Sequence, residues 1–266
     1  MTFDKQFWAR LADLHPLATY PPLPCPYCSQ QTLCIDVTSL CYRDIEWFSK
    51  DKTLRSSLES KHYEVSEVFK ENEILGLIFG VGTLVDLMNY QPVKFSGFFE
   101  CTKCAGCVAV AGTALNPKGS AQKSAKPTLR VEYFSPPVPM FVLDSAIPER
   151  VATEVMQAFQ HFHCDQTASG TKIRRAMERV CEALGYKKKT LHESIEALSK
   201  EYPQEAKWLR TLKLVGNEAS HADKVTEEDL LTSFQVLKAI LDVFRRQAMT
   251  DDIDKALPIL ENKYKN

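Results

Sequence analysis

The chain has 266 residues, of which 44 % are hydrophobic, 10 % aromatic and 25 % charged. This composition is ordinary for a globular protein and excludes a largely disordered or collagen-like chain. The 33 Lys and Arg residues against 34 Asp and Glu residues give a formal charge of −1, which excludes a globally basic nucleic-acid binder but not a local basic face. The length allows one or two domains.

The first residues predict neither a signal peptide nor a membrane anchor. Asp4, Lys5 and Arg10 place charges where a signal peptide begins, and no apolar core follows them. The uncharged, mainly apolar stretch at residues 74–85 is shorter than the roughly 20 residues of a membrane-spanning helix. We therefore expect no membrane association and a cytoplasmic location.

The two halves of the chain predict different elements. In the first half, apolar residues at helical spacing predict a helix over 3–14, and residues 43–88 are predicted to be helical. Residues 94–115 are typical of two short strands around cysteines, and residues 128–134 alternate as a strand does. Seven of the nine cysteines lie within residues 1–146.

The second half has helical periodicity almost throughout. Pro148 and Gly185 have the residue types expected at a helix start and a helix end. Thr226 and Asp229 form a capping-box pattern before a strongly apolar helix. We predict an α+β, mostly α fold, with a small zinc-ribbon β region carrying a helical insertion over residues 1–140 and an antiparallel helical bundle over residues 141–266.

Two Cys-x₂-Cys pairs, Cys25 with Cys28 and Cys101 with Cys104, predict a metal site. Two such turns complete a tetrahedral Zn²⁺ site that has no open position for catalysis, so the zinc would be structural. Cys107 is an alternate ligand, because Cys104 and Cys107 have the same spacing. The competing interpretation is a set of buried free thiols.

Polar residues interrupt the apolar pattern of the helical half. Arg175 and Glu178 lie on one predicted helix, and Lys213, Asn217 and His221 follow on another. One interpretation is a composite site in which an arginine holds phosphate and the histidine transfers a proton. The other is a buried hydrogen-bond network that fixes the packing register of the two helices.

Several of these residues carry a family resemblance. They are Ile147-Pro-Glu, Arg175-Ala-Met-Glu178, Gly185, Leu191, Ile195-Glu-Ala-Leu198 and Gly216-Asn217-Glu-Ala-Ser-His221. Over roughly residues 140–246 the chain resembles domain-of-unknown-function family 4145. That family is similar to the HEPN superfamily of helical bundles, and an N-terminal cysteine-knuckle region also fits it. The resemblance implies a HEPN-like helical bundle.

The resemblance also implies a candidate chemistry. HEPN proteins often act as metal-independent ribonucleases with an Arg-x₄₋₆-His signature, in which the histidine assists the chemistry and the arginine stabilises phosphate charge. His221 is present, but Gly216, Val215 and Leu214 occupy the arginine positions. The family usually has an arginine near Lys213, so the chain departs there as well. Arg175, Glu178, Lys213, Asn217 and His221 are the candidate catalytic residues.

We therefore predict a zinc-containing, HEPN-like binding and assembly protein, which the resemblance links to bacterial defence or restriction systems. The alternative is a metal-independent ribonuclease that uses His221, and a third hypothesis is a nucleotide-sensing regulator. The expected partner is another protein or a second copy of the chain, and nucleic acid or a nucleotide is the candidate ligand. The sequence leaves the question of enzymatic activity open.

Overall fold

A computed structural model describes residues 3–44, 90–117, 127–218 and 225–264. The chain divides into a sheet unit, Gln6–Val138, and a helical unit, Met1–Lys5 with Pro139–Asn266. The predicted helical insertion over 43–88 lies outside the described residues except at Arg43 and Asp44, which belong to a strand.

The sheet unit contains five antiparallel strands in the order β1-β5-β4-β3-β2. The sheet is curled into a half-barrel. A short helix, α1, precedes it, and a 3₁₀ turn, Leu17–Thr19, follows the first strand. The elements are α1 Lys5–Leu11, β1 His15–Pro16, β2 Leu33–Asp44, β3 Tyr90–Cys101, β4 Cys107–Pro117 and β5 Thr128–Ser135.

The predicted fold class is wrong. A small zinc ribbon has short strands, whereas β2 and β3 have 12 residues each and β4 has 11. The prediction missed β2 entirely, although Leu33, Ile35 and Val37 alternate with polar residues as a half-buried strand requires. The chain is an α+β protein built on a substantial curled sheet.

Alternation along the strands gives the sheet one apolar face. On β3, Val93, Phe95 and Phe99 are buried, while Ser96 and Phe98 between them are exposed. The rings of Phe99 and Phe134 meet edge to face, with centroids 6.2 Å apart. Successive side chains of a strand point to opposite faces, so this pattern places the core on one side only.

A bulge in β5 interrupts its pairing with β4. The register passes from Ala111 opposite Tyr133 to Gly112 opposite Val131, which leaves Glu132 as the extra residue. A Cβ atom on Gly112 would lie 2.1 Å from the carbonyl oxygen of Arg130. Glycine is therefore required where the bulged backbone approaches β4.

The helical unit contains five helices in its described residues. They are α2 Glu149–Phe162, α3 Gln166–Ala183, α4 Leu191–Leu198, α5 Pro203–Glu218 and α6 Glu227–Tyr264. The rings of Phe141, Phe159 and Phe234 form a chain of edge-to-face contacts with centroids 5.0 and 5.1 Å apart. These rings form an aromatic cluster within a mainly aliphatic core, and Phe234 brings α6 into contact with α2.

The helix ends follow local sequence rules. Thr226 and Asp229 exchange hydrogen bonds as the predicted capping box, because Asp229 N donates to Thr226 Oγ1 and Thr226 N donates to Asp229 Oδ2. Gly185 has a φ of 88°, and its amide donates to the Glu182 carbonyl, which ends α3 as predicted. These two local predictions are confirmed.

The bundle prediction is met only in part. The predicted apolar stripe of α6 is buried from Leu230 to Phe244, but the same helix continues through Pro258 to Tyr264, and residues 251–264 are exposed. A helix that is exposed all round adds nothing to a bundle core.

Among the described residues, no helix combines the length and apolar composition that a membrane span requires.

We predict that Gly112→Ala destabilises the sheet unit. The added methyl group overlaps the Arg130 carbonyl, and relieving this overlap is expected to lower the free energy of unfolding by about 1–3 kcal/mol. The neighbouring Ala111→Gly change, which removes a methyl group instead, is the control. Urea unfolding of both variants measures the difference, and equal stability of Gly112→Ala and wild type would contradict the proposed close approach.

A second prediction concerns acid stability. Hydrogen bonds from Lys187 at 2.8 Å and Arg179 at 2.6 Å lower the pKa of Glu182 to about 2. Because its pKa is lowered in the folded chain, the Glu182 carboxylate stabilises the fold at pH values above its ordinary pKa of 4.5. This contribution is lost as the pH falls towards 2. We expect Glu182→Gln to unfold more easily than wild type at pH 7.

The stability difference between Glu182→Gln and wild type should shrink as pH falls below 4.5. Thermal unfolding at a series of pH values measures it. Asp254→Asn, on the exposed end of α6, is the matched control and should unfold as wild type does at pH 7. A Glu182→Gln defect of equal size at pH 7 and pH 3 would show that the ion pairs are not its cause.

Candidate metal centre

Four cysteine sulfurs meet at one edge of the sheet unit. The Sγ atoms of Cys25, Cys28, Cys101 and Cys104 all lie within 4.8 Å of one another. Cys25 Sγ is 3.7 Å from Cys104 Sγ, and Cys28 Sγ is 3.6 Å from Cys101 Sγ. The short pairs therefore join one Cys-x₂-Cys turn to the other, although 72 residues separate the two turns in the chain.

The two turns have the same backbone geometry. In the first, Cys25 N donates to the Gln30 carbonyl and Ser29 N donates to the Cys25 carbonyl. In the second, Cys101 N donates to the Gly106 carbonyl and Ala105 N donates to the Cys101 carbonyl. The fifth residue of each turn has a positive φ, 59° at Ser29 and 54° at Ala105. Each turn thus folds back sharply and aims both of its sulfurs to one side.

Thr32 joins the two turns. Thr102 N donates to the Thr32 carbonyl at 3.0 Å, and Thr32 Oγ1 lies 3.1 Å from Cys101 Sγ. Thr32 immediately precedes β2, and Cys101 ends β3, which is paired with β2. The pairing of these strands therefore sets the distance between the two turns.

The sulfurs favour different charge states. The hydrogen bond from Thr32 lowers the pKa of Cys101 to about 6. The Gly106 amide favours the thiolate of Cys104, but desolvation and the hydrogen bonds with Cys101, Cys25 and Cys28 outweigh it and raise the pKa of Cys104 to about 12. Burial raises the pKa of Cys25. Four thiolates at these distances repel one another unless a cation lies among them.

The donor set and its spacing fit a tetrahedral metal ion. A Zn–S bond of about 2.3 Å gives sulfur–sulfur edges of about 3.8 Å in a tetrahedron, close to the two short contacts. Four thiolates suit a soft or borderline cation and fill all four positions. The four cysteines can hold a metal ion; the structure shows neither the ion nor its identity.

The alternate ligand, Cys107, lies outside this cluster. It begins β4 and is exposed, and the group of close sulfurs does not include it. Its carbonyl accepts a hydrogen bond from the Tyr27 hydroxyl at 3.0 Å. Tyr27 lies across Gly106, where a Cβ atom would come within 2.3 Å of the ring. Gly106 therefore lets the aromatic ring of the first turn cover the second.

Two candidate residues of the predicted polar site in the helical unit, Arg175 and Glu178, lie in ion pairs. Arg175 Nη2 lies 3.0 Å from Glu154 Oε1, and Arg174 Nε lies 3.6 Å from Glu178 Oε1. Glu154, on α2, also pairs with Lys172 at 3.5 Å. Arg175 therefore pairs with a residue of α2, and Glu178 pairs with its neighbour on α3.

The remaining candidates of that site are only partly described. Lys213 lies on α5 and is half-buried, and Asn217 lies in the last turn of α5, where the structure describes the backbone alone. His221 lies outside the described residues. Gly216 faces α3, because a Cβ atom there would lie 3.2 Å from Arg174 Cβ. The catalytic role of these residues stays a prediction.

Sequence reasoning missed two residues that organise these sites. Thr32 adjoins the first turn without belonging to its motif, and only strand pairing brings it to Cys101. Glu154 is 7 % exposed and holds two cations. Its signal is present in the sequence, because Glu154 lies next to Val155 and three residues after Val151 on the apolar stripe of α2, where an acidic residue needs a partner.

Comparison with known proteins supports one part of the predicted resemblance. Residues 155–264 match the model of a family described as "Domain of unknown function (DUF4145)". No curated protein and no solved structure matches the chain. The family match is confirmed for this part of the helical unit, its description names no activity, and the likeness to the HEPN superfamily stays a prediction.

Proposed function

We propose that the chain is a zinc-stabilised binding protein. One Zn²⁺ held by Cys25, Cys28, Cys101 and Cys104 would join the start of β2 to the end of β3. The observation that carries the proposal is the approach of all four sulfurs to within 4.8 Å of one another. Four thiolates occupy every position of a tetrahedral zinc ion, so this ion would fix structure and activate no water.

The local backbone supports a metal more strongly than it supports free thiols. Free cysteines bury singly and need no common geometry. Here the two turns have the same pattern of backbone hydrogen bonds. The fifth residue of each turn, Ser29 in the first and Ala105 in the second, has a left-handed backbone conformation. A positive φ is unfavourable for both residue types, so the fold accepts strain at two points that both aim sulfurs at one position.

We infer the binding role from the architecture and from the closed geometry of the proposed metal site. A zinc ion held by four thiolates has no open position for a substrate. The metal would therefore stabilise the sheet, and the sheet would provide the binding surface. An assembly role and a setting in bacterial defence stay predictions that rest on the family resemblance. The ribonuclease hypothesis needs His221, which the described residues do not include.

The first test measures metal content. We expect wild type to bind about one equivalent of zinc per chain, because the cluster supplies ligands for one tetrahedral ion. Cys101→Ser should lose most of this zinc. Cys34→Ser and Cys107→Ser, which change cysteines outside the cluster, are the matched controls and should keep it. Zinc retained by Cys101→Ser or lost from Cys107→Ser would overturn the assignment of the ligands.

The second test removes the metal from the full chain. Chelation should lower the melting temperature by more than about 10 °C, because a structural zinc ion contributes several kcal/mol of folding free energy. Adding Zn²⁺ should restore the original value. In Cys101→Ser the chelator should have no effect. Unchanged melting of fully zinc-free wild type would show that the metal is not structural.

A further inference from the structure

The four clustered cysteines form two close pairs, and each pair joins one Cys-x₂-Cys turn to the other. Cys25 Sγ lies 3.7 Å from Cys104 Sγ. Cys28 Sγ lies 3.6 Å from Cys101 Sγ. A disulfide bond is about 2.05 Å long, so the sulfurs of each pair need to approach by only about 1.6 Å. Each cysteine belongs to one of these two pairs, so both disulfides can form in the same chain.

Each close pair combines one accessible cysteine with one buried cysteine. Cys104 is exposed and its neighbour Cys25 is buried, whereas Cys28 is half-buried and its neighbour Cys101 is buried. An oxidant in solution therefore meets Cys104 first and Cys28 second. An accessible thiolate that is oxidised beside a second cysteine condenses with it to a disulfide, and the buried member of each pair is placed for this role.

The protein itself holds the two turns together. Thr102 N donates to the Thr32 carbonyl at 3.0 Å, and this bond connects the second turn to the residue that precedes β2. Thr32 Oγ1 also lies 3.1 Å from Cys101 Sγ. Both contacts are made by protein atoms alone, so they keep the sulfurs near one another when an ion leaves.

We propose that peroxide oxidation joins each close pair as a disulfide. The bonds are Cys25 with Cys104 and Cys28 with Cys101, and they replace the metal as the link between the start of β2 and the end of β3. The release of an ion rests on the proposed zinc site, whereas the pairing of the cysteines depends on the fold alone.

The reaction begins at Cys104. Its thiolate sulfur attacks one oxygen of hydrogen peroxide, the O–O bond breaks, and a sulfenic acid and a hydroxide form. The Cys25 thiolate then attacks the Cys104 sulfur, the S–O bond breaks, and a second hydroxide leaves as the S–S bond forms. The two sulfurs together lose two electrons, and both hydroxides take up protons to become water. A second peroxide oxidises Cys28 and Cys101 in the same way, which removes all four thiolates from the metal.

Disulfides within each turn are the alternative pairing. They would link Cys25 with Cys28 and Cys101 with Cys104, and they would leave the two turns unconnected. The members of the cross-turn pairs lie 79 and 73 residues apart in the chain. A bond that closes a long loop restricts the unfolded chain more than a bond that closes a short one, so the cross-turn disulfides stabilise the fold more. The oxidised sheet unit therefore stays folded without metal.

The test treats the zinc-loaded full chain with hydrogen peroxide, alkylates the remaining thiols and maps the disulfides by mass spectrometry after proteolysis. We expect the disulfide of Cys25 with Cys104 to form first and that of Cys28 with Cys101 to follow, with about one zinc ion released per chain. After all metal has been removed, the oxidised chain should melt about 5 °C or more above the reduced chain.

Two cysteine variants separate the roles of the individual thiols. Cys25→Ser removes the buried partner of Cys104, so Cys104 should accumulate a sulfenic acid that dimedone traps. Cys107→Ser is the matched control, because Cys107 is exposed and three residues from Cys104 but lies outside the cluster. It should form both disulfides as wild type does. Thermal unfolding of each reduced variant checks its fold, and if Cys25→Ser unfolds, the disulfide map of wild type decides.

Three results would overturn the proposal. The first is a map in which disulfides within the turns, or a bond between Cys104 and Cys107, are the main products. The second is a cluster that forms no disulfide, and the third is an oxidised, metal-free chain that melts no higher than the reduced one. Cross-turn disulfides in a chain that binds no zinc would contradict the zinc proposal alone, whereas bound zinc together with disulfides within the turns would contradict this proposal alone.

Discussion

Four sulfur atoms packed at one sheet edge repel one another as thiolates, and this repulsion is the constraint on which the sheet unit depends. The hydrogen bond from Thr32 lowers the pKa of Cys101 to about 6, whereas the Gly106 amide at Cys104 is outweighed by desolvation and by hydrogen bonds with the other cysteines, which raise the pKa of Cys104 to about 12. A divalent cation among the sulfurs removes the conflict. The ion would then join two chain segments that lie 72 residues apart and fix the pairing of β2 with β3.

Strand pairing determines which side chains share a face of the sheet. Register is set by strand pairing, and a slip of one residue would turn Phe98 towards the core and Phe99 towards solvent. The same register aligns Arg43, Lys94 and Arg130 across four strands. The bulge at Glu132 adds a carboxylate to this row, and Gly112 makes the bulge sterically acceptable. A metal ion that joined β2 to β3 would therefore also determine which side chains lie on each face of the sheet.

The helical unit depends on a different kind of compensation. Glu154 is buried on α2 and would be costly there without a partner, but Arg175 and Lys172 of α3 supply two cations. Both partners keep part of their side chains in water, which reduces the cost of desolvation. The arginine that the sequence suggested for phosphate binding is thus engaged in fixing α3 against α2.

Local rules were sufficient for part of this protein. The capping box at Thr226, the αL glycine at Gly185 and the apolar stripe of α6 up to Phe244 depend on residues within a few positions of one another, and the sequence displays them directly. The spacing of the two Cys-x₂-Cys pairs also indicated a metal site without any knowledge of the fold. Each of these features is encoded over a short stretch of chain.

Tertiary structure decided everything that depends on strand pairing. The number and length of the strands, the contact of Thr32 with Cys101 and the separation of Cys107 from the cluster follow from register, which no local pattern states. The same holds for the alignment of Arg43, Lys94, Thr113 and Arg130, which lie on four different strands. Sequence by itself determined the helix ends and the cysteine turns, because their hydrogen bonds close over three to five residues. The pairing of strands brought the sites together, because long-range contacts gain their energy only after the whole sheet has formed.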